Sequence, residues 1–305
     1  MSRFFDPRHS GLKPYVPGEQ PKDRGLIKLN TNESPYPPCP GVLEALNRSE
    51  AEALRLYSDP AAVRLNRAIA EYYNLQEEQV ITGNGSDEIL AFSFLAFCGS
   101  KGVAFPAVSY GFYPVFSRLL GVKHRPIPLE ADFSVNPEAY LRPGENIVLA
   151  NPNAPTGLAL TLDAIRRILD AHPHDVVLID EAYVDFGARS AVALIPEYDN
   201  LLVVQTFSKS RSLAGGRIGF ALGQPNIIAD LQTVRNSWNP YNVNRLSQLA
   251  GVAAMEDRPY FRQCVDRIIR TREETTRRLR ALGCTLNDSL TNFVLIRLPG
   301  MDGMT

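Results

Sequence analysis

An excess of charge of either sign is missing from this chain. Its 305 residues include 32 Lys and Arg against 33 Asp and Glu, which gives a formal net charge of −1. This balance excludes the cationic footprint of a dedicated nucleic-acid-binding protein. The sequence also lacks the run of about 18 apolar residues that a membrane-spanning helix requires. We therefore expect neither a nucleic acid nor a membrane among the partners.

Cysteine is scarce, and its placement excludes two further classes of protein. The four cysteines lie far apart, with no CxxC pair and no histidine at the spacing of a metal ligand. This pattern argues against a zinc site and against a disulfide framework. Residues 1–7 also lack the apolar segment of a signal peptide. These absences predict a cytoplasmic protein without a metal site.

The sequence divides into three parts. Residues 1–40 are rich in proline, which forbids a long helix, and they predict an extended N-terminal arm. In residues 41–240, short apolar runs alternate with helical patterns, which predicts a large α/β domain with a mostly parallel sheet covered on both faces. Residues 241–305 predict a smaller α+β domain of two helices and one convincing strand.

The apolar patterns locate the individual elements. Predicted strands lie at 79–82, 102–105, 123–127, 146–150, 176–179, 201–206, 218–222 and 292–298. Predicted helices lie at 63–73, 88–97, 110–120, 162–171, 243–255 and 260–282. Open α/β sheets bind ligands at the carboxyl ends of their strands, so the residues that follow each strand are the candidates for a site.

A glycine-rich turn follows the first predicted strand. Gly83-Asn84-Gly85 leads into Ser86 and Asp87, which open a helix. The N-terminus of a helix offers free N–H groups and the positive end of the helix dipole, which suit a phosphate. An ordinary strand-to-helix turn, capped by Ser86 or Asp87, fits the same residues.

Two polar segments follow later strands. Residues 151–157, Asn-Pro-Asn-Ala-Pro-Thr-Gly, form a rigid loop that projects side-chain amides. Asp180 comes directly after the apolar strand 176–179, where a partly buried carboxylate needs a partner. A protonated heterocyclic nitrogen or a metal ion would serve, and the lack of His or Cys nearby in sequence favours the nitrogen. Asp180 could instead cap the following helix.

Two cationic residues follow strand 201–206. Lys209, flanked by hydroxyl side chains, can become a nucleophilic amine if it is desolvated. Arg217 lies eight residues further on and can hold a phosphate bidentately. A lone lysine in a loop is usually solvated, so the hypothesis depends on the whole set of residues.

These segments, in this order, resemble the fold-type-I enzymes that use pyridoxal 5′-phosphate (PLP). The closest resemblance is to the histidinol-phosphate aminotransferase family, carried by Asn-Pro-Asn-x-Pro-Thr-Gly, Asp-Glu-Ala-Tyr and Ser-Lys with an arginine eight residues on. It extends from the segment 13–18 through 28–35 to 291–293. The resemblance implies a PLP-dependent class II aminotransferase with a three-layer α/β/α large domain.

The resemblance also implies roles for residues around the ring of PLP. Lys209 would form the Schiff base with PLP and move a proton during the reaction. Asp180 would pair with the pyridinium nitrogen and keep the ring an electron sink. Asn153 and Tyr183 would bond the phenolate oxygen, and Tyr110 would stack on the ring face.

Further roles concern the phosphate, the substrate and a second subunit. The resemblance implies that the backbone N–H groups of Ser86 and Asp87, the Ser208 hydroxyl and Arg217 hold the phosphate. Tyr57 would reach the phosphate of the neighbouring subunit, which implies a homodimer. The residues implied for the substrate side are Tyr15, Asn32 and Glu33.

The sequence departs from the family pattern at two places. Arg211 and Gly216 are atypical, and we expect the Arg211 side chain to point to solvent. The chain ends at Thr305, before a segment whose arginine binds the acidic group of the substrate in the family. We therefore expect an incomplete C-terminal domain, and weak or no turnover if the protein truly ends there.

Several reactions remain open. The leading hypothesis is transfer of the amino group of L-histidinol phosphate to 2-oxoglutarate, giving imidazole acetol phosphate and L-glutamate. A decarboxylase acting on threonine phosphate, a broad or aromatic amino-acid aminotransferase, and a PLP-binding protein without turnover are the alternatives. Analogy of fold alone does not choose among them.

Overall fold

A mostly parallel sheet organises the computed structural model, which describes residues 6, 9, 11–20 and 27–298. Its seven strands are β1 (Val80–Asn84), β2 (Val103–Pro106), β3 (His124–Ile127), β4 (Asn146–Ala150), β5 (Val177–Asp180), β6 (Leu201–Thr206) and β7 (Ile218–Gly223). They lie in the order β1-β7-β6-β5-β4-β2-β3. Strand β7 pairs antiparallel with both neighbours and the other pairs are parallel, which confirms the predicted sheet.

Helices connect and cover the strands. They are α1 (Pro40–Ala45), α2 (Arg48–Glu52), α3 (Val63–Tyr73), α4 (Ser86–Ser93), α5 (Phe112–Leu119), α6 (Leu162–Ala171), α7 (Pro225–Trp238), α8 (Arg245–Glu256) and α9 (Arg258–Ala281). A π-helical turn at Phe94–Cys98 continues α4. Two short strands after α9, β8 (Thr285–Leu286) and β9 (Ile296–Arg297), form a separate antiparallel pair.

Alternate residues of the central strands pack into two separate cores. On β5, Val177 and Ile179 belong to a buried cluster with residues of α3, α6 and α8. Leu178 between them belongs to a second cluster with residues of α4, α5 and α7. Successive strand side chains point to opposite faces of a sheet, so each cluster lies between the sheet and one layer of helices. This arrangement is the predicted three-layer α/β/α fold.

The register aligns the carboxyl ends of the central strands. Ala150, the last residue of β4, pairs with Asp180, the last residue of β5. Asp180 in turn pairs with Val204, close to the end of β6. The loops that leave these three strands therefore begin side by side, at the edge where such sheets bind ligands.

Several elements differ from the sequence predictions, and α2 and β8 have no predicted counterpart. Helix α7 is not among the predicted elements, although its Ile227, Ile228 and Leu231 recur at helical spacing and are buried. The predicted strand 292–298 is shortened to β9. The side chain of Thr291 donates a hydrogen bond back to the Phe293 carbonyl at 3.0 Å, which forms a bend where the strand was expected.

Some predictions fall outside the described residues, namely those on the first five residues and on the chain end at Thr305. The division into an arm, a large domain and a small domain stays a prediction. In the described parts of the chain, no helix has the length and apolar content of a membrane span. In the same parts, no three His, Cys, Asp or Glu residues come together as metal ligands would.

Candidate active site

A cavity of about 390 Å³ opens at the carboxyl edge of the sheet, beside the aligned ends of β4, β5 and β6. Nine of the predicted site residues line it: Glu33, Ser86, Asp87, Tyr110, Asp180, Tyr183, Ser208, Lys209 and Arg217. The rest of its wall comes from Gln20, Thr31, Ala150, Pro152, Ala154, Ala182, Thr206, Ala214 and Gly215. The fold thus gathers residues from the arm and from five further segments of the chain into one concave site.

Asp180 is a buried carboxylate without a cationic partner among the described residues. Its side chain accepts hydrogen bonds from the Tyr113 hydroxyl at 2.8 Å and from the Ala182 N–H at 3.2 Å. Burial raises the pKa of Asp180 to about 6, and the two hydrogen bonds oppose this rise. A buried acid that is hydrogen-bonded but has no counter-ion is suited to bind a cation.

Lys209 presents a partly buried amine in the same cavity. The loop that carries it leaves β6, and its Nζ donates a hydrogen bond to the Thr31 carbonyl at 2.8 Å. Burial lowers the pKa of Lys209, while the more distant carboxylates of Glu33 and Asp87 oppose this effect. A lowered pKa leaves more of the amine neutral at neutral pH, and the neutral amine is the nucleophile and the base.

Hydrogen-bond donors gather at the N-terminus of α4. Ser86 and Asp87 begin the helix, where the first N–H groups have no partner within the helix. Arg217 reaches the same point and lies 3.3 Å from the Asp87 carboxylate. Ser208 lines the adjoining wall. These groups can hold an oxyanion such as a phosphate.

Two glycines make room for this cluster. Gly85 has a φ of +82°, and a Cβ at this position would overlap with the Arg217 guanidinium. A Cβ on Gly219 of β7 would overlap with the backbone nitrogen of Ser86. The close approach of β7 to the start of α4 therefore requires the absence of a side chain at Gly219.

The phenol groups of the site are held by polar neighbours. The Tyr110 hydroxyl donates a hydrogen bond to Asp87 at 2.6 Å. The Tyr183 hydroxyl accepts a hydrogen bond from the Asn32 side chain at 3.1 Å. Burial raises the pKa of Tyr183 to about 12, so this phenol stays protonated at neutral pH and can donate a hydrogen bond into the cavity.

The arm supplies the remaining side of the site. Glu33 forms an ion pair with Lys28, which holds the pKa of Glu33 below its usual value. Asn32 lies behind the wall, where its carbonyl accepts a hydrogen bond from Asn292 at 2.9 Å. Tyr15 packs on Phe112 with ring centroids 4.4 Å apart. Of the three residues predicted for the substrate side, only Glu33 lines the cavity itself.

Asn153 is buried behind the cavity wall rather than exposed in it. Its side-chain nitrogen donates to the Val108 carbonyl at 3.0 Å and to the Thr156 hydroxyl at 3.2 Å. Its side-chain oxygen accepts a hydrogen bond from Ser109 at 2.7 Å. The amide is thus fully bonded within the protein, while the neighbouring Pro152 and Ala154 form the wall.

Comparison with known proteins identifies the family. The model of the aminotransferases of class I and II matches residues 24–302. The chain belongs to this family. The aminotransferase is 53% identical to histidinol-phosphate aminotransferase 1 of Bradyrhizobium diazoefficiens over 97% of its own length and 85% of that protein. It is 50% identical to histidinol-phosphate aminotransferase 2 of Dechloromonas aromatica over 99% of its own length and 86% of that protein.

A solved structure agrees with this assignment. The crystal structure of histidinol-phosphate aminotransferase from Sinorhizobium meliloti, in complex with pyridoxal 5′-phosphate, superposes on the aminotransferase with a TM-score of 0.78. The two are 25% identical, and the match covers 87% of this chain and 74% of the other. The resemblance stated from the motifs is therefore confirmed.

Tyr57 lies outside the cavity of its own chain. Its side chain is 81% exposed and stacks on Tyr241, with ring centroids 4.5 Å apart. The structure therefore does not bring Tyr57 together with Lys209 within one chain of the aminotransferase.

The expectation that Arg211 points to solvent is wrong. The side chain is 6% exposed and lies among the rings of Tyr72, Phe207 and Phe261. Attraction between the guanidinium and the ring faces stabilises it there. A charged residue in a loop usually remains hydrated, but here Tyr72 and Phe261, both distant in sequence, lie against it.

Sequence reasoning missed two residues that shape the aminotransferase site. Tyr113 donates a hydrogen bond to the key carboxylate Asp180 and lies three residues after Tyr110, a spacing that would place both on one face of the predicted helix 110–120, although α5 itself begins at Phe112. This spacing is a usable signal. The Thr31 carbonyl, which accepts the Lys209 hydrogen bond, leaves no signal because any residue carries such a group.

Proposed function

We propose that this aminotransferase transfers the amino group of L-histidinol phosphate to 2-oxoglutarate, giving imidazole acetol phosphate and L-glutamate, with PLP as cofactor. The observation that carries the proposal is its 53% identity, over 97% of the chain, to a protein named histidinol-phosphate aminotransferase. The cavity supports it independently, because it combines a partly buried amine, a buried carboxylate and a cluster of oxyanion donors. The enzyme would act in histidine biosynthesis.

The residues present fit PLP at both of its ends. Asp180 would pair with the ring nitrogen, whose positive charge supplies the partner that this carboxylate lacks among the described residues. Ser208, Arg217 and the N–H groups of Ser86 and Asp87 would hold the phosphate. When bound, PLP supplies a ring that draws electrons from the reacting carbon of the substrate.

Other residues would hold the ring between these ends. Tyr110 is proposed for the ring face, and Tyr183 for the phenolate oxygen. Asn153 is proposed for the same oxygen, and it would have to exchange one of its present partners, Val108 or Thr156, to reach it.

Lys209 moves the proton. Burial favours the neutral form of Lys209. Its Nζ can therefore accept the proton of the substrate carbon that carries the amino group, and later release that proton. The Thr31 carbonyl holds the amine on one side of the cavity. A base that is already in place avoids the entropic cost of bringing it to the substrate. Asp180 would remain buried and carry the negative charge that stabilises a cationic ring.

The arm would bind the substrate. Tyr15, Asn32 and Glu33 are proposed for this side because the arm contributes Thr31 and Glu33 to the cavity wall. The Lys28 ion pair keeps Glu33 ionised, and an ionised carboxylate suits a cationic group on the amino donor.

We also propose a cytoplasmic homodimer in which Tyr57 of one subunit reaches the cofactor phosphate of the other. The high exposure of Tyr57 and its position outside its own cavity support this arrangement. The cysteines of the described residues are all free thiols, as expected in a reducing compartment.

Two assays test the reaction. We expect loss of histidinol phosphate that depends on 2-oxoglutarate and yields glutamate, with no CO2 released from threonine phosphate. Release of CO2, or equal turnover of aromatic amino acids, would replace the proposed substrate with one of the alternatives.

A separate experiment tests the covalent site. Borohydride reduction of the enzyme loaded with PLP, followed by mass spectrometry, should find the adduct on the peptide 207–211. Lys209→Ala should abolish it, whereas Lys123→Ala, at an exposed lysine away from the cavity, should not. An adduct on another peptide would overturn the assignment of Lys209.

A further inference from the structure

Arg211 is a buried cation two residues beyond Lys209. Its Nη1 donates a hydrogen bond to the Ala254 carbonyl at 3.0 Å, while Nη2 has no partner although it is buried. No ion pair with a carboxylate is formed by Arg211 among the described residues. Burying a charge without a counter-ion lowers the stability of the fold. The presence of an arginine at position 211 is therefore explained best by a role that offsets this loss.

The cage around Arg211 joins the Lys209 loop to three helices. The guanidinium carbon lies 4.2 Å from the ring centroid of Phe261 on α9 and 4.7 Å from that of Tyr72 on α3. Ala254, which accepts the hydrogen bond, belongs to α8. One side chain therefore contacts α3, α8 and α9 at once.

The residues on either side of Arg211 are also anchored. The Ser210 hydroxyl donates to Asp185 at 2.5 Å, and the Ser212 hydroxyl donates to that of Ser34 at 2.8 Å. Ser212 has a φ of +57°, which an L side chain adopts only when its surroundings impose it. The segment that follows Lys209 is thus held by three successive side chains, and that of Arg211 makes the hydrogen bond to α8.

We propose that Arg211 is a positioning residue that fixes the place of the Lys209 amine in the cavity and couples it to α8 and α9. Its Nη1 holds the loop through the Ala254 carbonyl, and its charge holds the loop through the faces of the rings. The opposing interpretation is that Arg211 only fills space, in which case an uncharged side chain of similar length would serve equally well. This inference rests on the proposed function only in the measurement of kcat, which requires the proposed substrate.

Three variants separate these interpretations. Arg211→Met keeps the length but removes the charge, and Arg211→Lys keeps the charge but removes the planar fork. The matched control is Arg258→Met, because Arg258 also faces the Tyr72 ring, at 5.0 Å, but is exposed and belongs to α9. Thermal unfolding of each variant reports whether the fold is retained.

Two measurements report on the Lys209 amine. In the holoenzyme, we expect Arg211→Met to lower kcat about tenfold or more with KM little changed, because a displacement of ~1 Å from the reacting geometry can cost about a hundredfold in rate. In the cofactor-free protein, the pH profile of Lys209 acetylation by acetic anhydride, followed by mass spectrometry, should shift. Arg258→Met should match the wild type in both.

The proposal is overturned if Arg211→Met keeps the wild-type kcat and acetylation profile, or if the profile is unchanged while kcat falls. If Arg211→Met does not fold, Arg211→Lys decides: a lowered kcat with a shifted profile supports the proposal, and wild-type values for both overturn it. If the wild type does not act on histidinol phosphate, only the proposed function is contradicted. The role of Arg211 remains testable, because the acetylation profile is measured without substrate.

Discussion

The Tyr113 hydroxyl donates a hydrogen bond to the Asp180 carboxylate at 2.8 Å, and both side chains are buried. Burial raises the pKa of Asp180 to about 6, while this hydrogen bond and that of the Ala182 N–H lower it. Tyr113 therefore helps to keep Asp180 ionised at neutral pH, the form that attracts a cationic ring nitrogen.

Removing this hydroxyl should weaken PLP binding. Tyr113→Phe raises the pKa of Asp180 further, so a smaller fraction is ionised at neutral pH. We expect about tenfold weaker binding near pH 7, because a hydrogen bond to a charged group contributes about 1.5–3 kcal/mol. The loss should shrink at higher pH, and absorbance titrations with PLP between pH 6 and 9 measure it.

Tyr198→Phe provides the control for this prediction. Tyr198 also donates a hydrogen bond to an aspartate, Asp170 at 2.9 Å, but that pair lies on the surface outside the cavity. Its PLP affinity should equal that of the wild type at every pH. A Tyr113→Phe protein that binds PLP like the wild type throughout would show that Asp180 does not depend on this hydrogen bond.

The ionised form of Asp180 should lower the stability of the cofactor-free protein. The pKa of Asp180 rises on folding from 3.8 to about 6, so folding favours the protonated carboxyl. The stability that this preference provides is fully present below about pH 4 and is lost as the pH rises through 6. Asp180→Asn avoids this loss and should stabilise the cofactor-free protein at pH 8 by up to about 3 kcal/mol. The same substitution should abolish tight PLP binding.

Thermal unfolding of the two cofactor-free proteins at pH 5 and pH 8 tests this. The gain in Tm for Asp180→Asn should be larger at pH 8 than at pH 5. A variant that is less stable than the wild type at pH 8 would mean that the ionised carboxylate already has a cationic partner in the free protein.

Much of the fold, and the site residues Asp180 and Lys209, could be predicted from short-range patterns in the sequence. Apolar runs give β4, β5 and β6 within a residue or so, and Asp180 and Lys209 stand out because they directly follow those runs. Their convergence follows from the geometry of parallel strands. The motif resemblance adds the cofactor, which residue spacing alone does not name.

The rest depends on contacts between distant segments. Arg211 is surrounded by Tyr72 and Phe261, from two helices that approach it only in the folded chain. Asn153 has its amide engaged by Ser109, a residue of another loop. Local sequence predicts an exposed charge and a projecting amide at these positions because it does not contain those neighbours.

Gly219 should not tolerate a side chain. A methyl group there would overlap with the Ser86 nitrogen, so Gly219→Ala must push the start of α4 away from β7. We expect a loss of about 1–3 kcal/mol in stability, as for other overpacked sites, together with weaker PLP binding. Chemical denaturation and PLP titration measure the two effects.

Gly216→Ala is the matched control for this substitution. Its Cβ would meet the nearest atom, on Leu213, at an ordinary 3.5 Å, so stability and PLP affinity should change little. Equal behaviour of the two alanine variants would mean that the contact between β7 and α4 relaxes without disturbing the phosphate donors.

Tyr57 should act on the site of the partner subunit. Tyr57→Phe removes only the hydroxyl, and we expect kcat/KM to fall about tenfold through loss of one hydrogen bond to a charged phosphate. Lys209→Ala should be inactive by itself. When the two variant chains are co-expressed, some dimers contain one chain of each kind. In such a mixed dimer, the Tyr57→Phe chain supplies an intact Lys209 and the Lys209→Ala chain supplies an intact Tyr57.

Activity of the purified mixed dimer decides between the two arrangements. If Tyr57 acts across the interface, the mixed dimer should recover wild-type kcat/KM in one of its two sites, well above the sum of the parents. If Tyr57 acts within its own chain, the only site with Lys209 still has Phe at position 57, and no gain appears. Since Tyr57 is 81% exposed and lies outside its own cavity, recovery is the expected result.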